Sequence, residues 1–146
     1  MEKTYGSLRE KIAAEKAMRI ERDKQFTDIV LEAGEAGIAA ANAAHVTKMV
    51  VVERANPLND SSPVVNRWEI PDGPCGFAWI VVKDGRSAFG RWLVKQGLAR
   101  KHYPKGLCVW VHQYNQSMQR KEAHAYAYAA VLRKHGIEAY AGSRMD

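Results

Sequence analysis

Hydrophobic and polar residues recur along this chain with two periods, and each change of period marks a change of element. From residue 2 to residue 35 the sequence is charged and free of proline, with Tyr5, Leu8, Ile12, Met18, Phe26, Ile29 and Val30 at broadly helical intervals. The spacing predicts a long helix. Its apolar stripe is thin and drifts in register, so the helix must lie on a globular part or pair with another chain. Residues 33–44 are rich in alanine, and Gly34 and Gly37 lower helix propensity among them, which predicts a second helix after a bend.

After His45 the period becomes that of strands. Residues 48–53 carry a β-branched run, residues 56–63 are dense in turn formers, and residues 64–70 return as a second strand. Pro71-Asp72-Gly73-Pro74 stops the pairing. Residues 77–82 are apolar at successive positions, which predicts a central strand covered on both sides. A helix follows over residues 87–96, with Phe89, Trp92 and Leu93 at i, i+3 and i+4 and Gly97 as its stop. Residues 107–111 read as a buried strand, 118–134 as a helix closed by His135-Gly136, and 137–141 as a last strand. Two strands followed by β-α-β-α-β predict an α/β or α+β fold, with a small sheet of about five strands, two packed helices and a peripheral long N-terminal helix. The expected division is a helical extension over residues 1–46, with a part in homo-oligomerisation, and a globular domain over 47–146.

Composition agrees with one globular unit: 47% of the 146 residues are hydrophobic and 26% charged, far from the signature of disorder or of a fibre. No apolar run approaches the roughly 18 residues of a membrane span, and the first residues are charged, so the expected location is a cytoplasm. Cys75 and Cys108 lack the spacing of a disulfide framework or a zinc site and read as packing residues. No metal or cofactor is predicted.

Charge changes the picture more. Residues 1–44 hold 7 basic and 8 acidic side chains, whereas residues 45–146 hold 15 basic and 8 acidic. Lys83, Arg86, Arg91, Lys95, Arg100, Lys101 and Lys105 face one acid, Asp84, in a short stretch. Such a field attracts nucleic acid, nucleotides or an acidic protein surface, or simply keeps the surface solvated. Two predicted helix starts share a feature: Asp84-Gly85-Arg86-Ser87 and Asn115-Gln116-Ser117-Met118-Gln119-Arg120-Lys121 both bring cations to the positive end of a helix dipole. Each cation there is unfavourable by about 0.3–1 kcal/mol, which an anion would offset. If the two β-α units run parallel, both starts open on one sheet edge, where open α/β sheets place ligands. Asn115 and Ser117 also fit as plain helix caps. Tyr103, Tyr114, Tyr126, Tyr128 and Ser143-Arg144 add rings and a guanidinium suited to bases or phosphates.

Gly76-Phe77-Ala78-Trp79-Ile80-Val81-Val82 partly matches the aromatic strand of RNA-recognition domains, which presents alternate rings for stacking. Cys75 stands where that motif has a basic residue, Trp79 and Val82 differ from it, and no upstream β-α unit supplies a companion strand. Core packing is therefore the expected role of this segment. The five histidines, His45, His102, His112, His124 and His135, show no metal spacing, and neither a nucleophile elbow nor a phosphate-binding glycine loop occurs. A non-enzymatic protein is expected.

Four segments in order, Gly76-Phe77-Ala78-Trp79, Phe89-Gly90-Arg91-Trp92-Leu93, residues 114–121 and Ala141-Gly142-Ser143-Arg144-Met145-Asp146, resemble a group of small uncharacterised bacteriophage proteins. The resemblance covers roughly residues 49–146. It implies a phage accessory protein of the infected bacterial cytoplasm and transfers no catalytic residue. The leading expectation is a binder of a phosphate-bearing ligand, nucleotide or nucleic acid, through Arg86, Ser87, Asn115, Ser117, Arg120, Lys121 and Arg144. The alternative is a host-protein interaction or inhibitor module using the basic face. A small hydrolase or nuclease comes third, because clustered acids are scarce.

Overall fold

A computed structural model of the chain describes residues 7–146. It is a mixed α+β fold with three helices and six strands in two separate sheets. Helix α1 (Leu8–Ala43) opens with a capping box, in which the Ser7 hydroxyl accepts from the Glu10 N–H and the Glu10 carboxylate accepts from the Ser7 N–H. Strands β1 (Met49–Arg54) and β2 (Val64–Ile70) pair antiparallel as an isolated hairpin, exposed along most of both strands. Strand β3 (Gly76–Val82), helix α2 (Ala88–Lys95), strands β4 (Arg100–Lys101) and β5 (Leu107–Trp110), helix α3 (Met118–Lys134) and strand β6 (Ala139–Met145) complete the chain.

The last six elements form a β-α-β-β-α-β unit whose sheet order is β4-β5-β3-β6, with every neighbouring pair antiparallel. This is the split β-α-β, ferredoxin-like arrangement. Side chains alternate across a strand. Ala78, Ile80 and Val82 of β3 therefore turn to one face, where they meet Phe89, Leu93, Ala125, Ala129, Leu132, Leu107 and Val111 in the core. Helix α3 lies on this face, and α1 forms an outer layer packed chiefly on α3.

The expected bend in α1 is absent: the helix runs unbroken through Gly34 and Gly37, and the part of the prediction at residues 2–6 lies outside the described residues. Tertiary packing overrides local propensity here. Ala33, Gly37 and Ala41, four residues apart, form the buried stripe against α3, and a Cβ at Gly37 would come within 2.7 Å of the His124 ring. The N-terminal half of α1 is exposed on nearly all sides.

The two β-α units do not run parallel, the condition on which both helix starts would open on one sheet edge. The two-residue strand β4 intervenes between α2 and β5, so β5 enters by a hairpin and runs antiparallel to β3. Strand β6 is longer than predicted and carries Gly142, Ser143 and Arg144 inside the sheet.

His124 sits at the α1–α3 seam. Its Nδ1 lies 2.7 Å from the Tyr114 hydroxyl, and the Tyr128 ring stacks beside it at 6.0 Å. Burial pushes the His124 pKa below the usual imidazole value. The folded chain therefore binds this proton less readily than the unfolded chain. Stability is complete above about pH 6.5, the unfolded value, and falls as pH drops below it, by at most about 1.4 kcal/mol per pH unit. Urea melts across this range are expected to show the loss, and His124→Gln to flatten it.

Candidate functional site

The two basic helix starts do not converge. Helix α2 begins beyond the Val82 end of β3, whereas the start of α3 is tied to the other end: the Gly76 N–H donates to the Gln116 carbonyl and the Met118 N–H to that of Pro74. The whole seven-residue strand separates them. Ser87 caps α2, its hydroxyl accepting from the Gly90 N–H at 3.0 Å and donating to the Asp84 carbonyl at 2.8 Å. Buried Ser117 caps α3 and donates to the Asp72 carbonyl at 2.9 Å.

The cations at the start of α3 have partners within the protein. Arg120 donates to the Ala41 carbonyl at 2.7 Å. The negative end of the α1 dipole thus supplies what an anion was expected to supply. Buried Lys121 donates to the Gly76 carbonyl at 3.2 Å and approaches the Phe77 ring at 5.5 Å. Asn115 follows Tyr114 in a loop where both residues have positive φ, 51° and 71°. Arg86 is exposed, its backbone N–H held by the Asp84 carboxylate at 3.0 Å. Of the seven predicted residues, only Arg144 lies on the feature that stands out.

That feature is the second face of the four-stranded sheet. Register places Phe77, Trp79 and Val81 of β3 on it, with Arg144, Gly142 and Tyr140 opposite them on β6, and Trp110 and Cys108 on β5. Arg100 of β4 lies opposite Cys108. Helix α3 packs on the opposite face, and Tyr140 on this one is 43% exposed. The expectation that β3 is covered on both sides, with Phe77 and Trp79 in the core, is thereby overturned: both rings are only partly buried, and Trp110 is 38% exposed.

The rings form a continuous surface. Trp79 and Trp110 are parallel within 6° at 5.7 Å between centroids, and Phe77 stands 5.6 Å from Trp110. Gly142 makes room for this arrangement, since a Cβ there would come within 2.6 Å of the Trp79 indole Nε1. Cations border the rings: the Arg144 guanidinium lies 5.6 Å from the Phe77 ring, and the Lys83 ammonium 5.7 Å from the Tyr140 ring. The four strands contain no acidic residue.

Burial raises the Cys108 pKa, so its thiol stays protonated and is a poor nucleophile. Among the described residues no group of three or more His, Cys, Asp or Glu side chains is placed to hold a metal ion, and no helix is long and apolar enough to cross a membrane. No protein-family model, curated protein or solved structure matches the chain. The companion aromatic missing upstream of β3 is supplied downstream by Trp110. The one legible signal for it was the alternation of Phe77 and Trp79 along β3.

Proposed function

We propose that this protein binds single-stranded nucleic acid on the open face of its four-stranded sheet, without turning it over. What supports the reading is the set of three adjoining rings, Phe77, Trp79 and Trp110, on an uncovered sheet face that carries cations and no acid. Bases of any identity stack on such rings, and Arg144, Arg100 and Lys83 at the margins supply the positive charge that phosphates require in this reading. By analogy, RNA-recognition domains use the same element order and stack two or three bases on aromatic positions of the two central strands. A duplex hides its base faces and gains nothing from the rings. In the setting that the resemblance to bacteriophage proteins implies, the protein acts as an accessory binder of exposed strands.

The test is fluorescence anisotropy with a labelled oligodeoxythymidylate of about 12 nucleotides, long enough to span a typical site of this kind. The single strand is expected to bind with quenching of tryptophan emission, and a duplex of equal length to bind more weakly and without quenching. Equal affinity for both, with no quenching, would refute the reading.

A further inference from the structure

At the Val82 end of the open face the sheet runs into a basin of about 1070 Å³, walled by the β3–α2 turn, the β4–β5 loop and the start of β6. Lys83, Arg86, Lys101 and Lys105 line it, against Asp84 and Glu138. The Asp84 carboxylate is engaged by the backbone of its own turn. None of the four cations forms an ion pair among the described residues. Against the two carboxylates the four cations leave the concavity an excess of positive charge, which attracts an anion.

The basin is built into the backbone. Gly106 has φ +90°, and a Cβ there would come within 2.6 Å of the Val82 carbonyl oxygen, so the β4–β5 loop presses directly on the end of β3. Gly85 meets the Leu107 side chain from the other side, at 3.2 Å from where its Cβ would stand. Val81 and Tyr140 belong both to the basin and to the open face. Along β3 the basin starts two residues from Trp79, about 7 Å away.

We propose that this basin binds the sugar–phosphate backbone of the strand as it leaves the rings, so that the site accommodates more nucleotides than the rings can stack. The inference rests on the reading of the open face as a single-strand platform. The basin supplies charge without base readout, so its contribution depends on strand length and on salt.

The experiment compares the full chain with the triple variant Arg86→Gln, Lys101→Gln, Lys105→Gln, whose three side chains are exposed. Lys83 is retained because it lies beside Tyr140. The probes are oligodeoxythymidylates of about 3 nucleotides, enough for the rings alone, and about 12 nucleotides. For the longer probe, the slope of log affinity against log salt is expected to become shallower by about 2 in the variant, at roughly 0.7 per lost phosphate contact. Tryptophan quenching at saturation and the affinity for the short probe are expected to stay unchanged. An unaltered slope on the long probe would overturn the basin and leave the ring platform standing. Salt-sensitive binding lost in the variant, with no quenching in either protein, would support the basin and overturn the platform. Absence of binding by the unmodified chain to either probe would overturn both.

Discussion

Replacing Trp110 with alanine is expected to weaken binding of a single-stranded oligonucleotide by about 5- to 150-fold, with the fold intact. A base stacked on an aromatic side chain contributes about 1–3 kcal/mol, which converts to that range. Trp110 is the suitable position because the residue is 38% exposed, on β5, and is absent from the buried core. Trp110→Phe keeps a ring and should recover most of the affinity. Trp79→Ala should have a similar effect. The double variant should lose less than the sum, because the two indoles stack on each other and each single change already disturbs its neighbour. Trp68→Ala is the control: that ring lies on β2 of the separate hairpin, so affinity should not change. Anisotropy titrations of the five variants, each checked by circular dichroism, decide the matter.

Two glycines one helical turn apart in α1 are expected to respond in opposite directions. Gly34→Ala should stabilise the protein by up to about 1 kcal/mol, since alanine is the better helix former and nothing lies within 4 Å of the added Cβ. The same propensity gain exists at Gly37 but is outweighed there. A Cβ would stand 2.7 Å from two atoms of the His124 ring, and that ring is held by the Tyr114 hydroxyl and flanked by Tyr128. Gly37→Leu must therefore push α1 away from α3, at a cost of about 1–3 kcal/mol. Urea denaturation reads both changes, and thermal melts should move by about 2–4 °C per kcal/mol for a chain of this size. Destabilisation by Gly34→Ala, or tolerance of Gly37→Leu, would contradict the seam.

Most elements were legible because their signals are local. The β-branched runs of β1 and β3, the serine starts and glycine stops of α2, and the alanine-rich α3 all fall close to where the residues predict them. What could not be read depended on distant partners. Gly37 looks like a helix breaker until His124, far along the chain, is known to pack on it. Arg120 and Lys121 look like an anion site because their acceptors, Ala41 and Gly76, lie 79 and 45 residues away. The shortest element had the largest consequence. Arg100 and Lys101 make a two-residue strand too brief to leave a pattern, yet it reverses β5 and sends the two helix starts to opposite ends of β3.

The open face was hidden for a related reason. Val81 and Val82 are both buried, so β3 reads as covered on both sides. Val81 shares its face with Tyr140 opposite it and Cys108 beside it, whereas the helices pack with Ala78, Ile80 and Val82 on the other face. Periodicity records burial and does not distinguish a face covered by a helix from one covered by neighbouring rings.

The four tryptophans offer the most direct test of the central claim. Trp79 and Trp110 lie on the open face, Trp92 is in the core, and Trp68 is on the hairpin. Each carries one indole N–H, so a nitrogen–proton correlation spectrum resolves them as four separate reporters. On addition of an oligodeoxythymidylate of about 12 nucleotides, the Trp79 and Trp110 signals should shift together and saturate, while those of Trp92 and Trp68 stay in place. Shifts confined to Trp68, or saturable binding that leaves Trp79 and Trp110 unmoved, would contradict the account and place the interaction off the sheet.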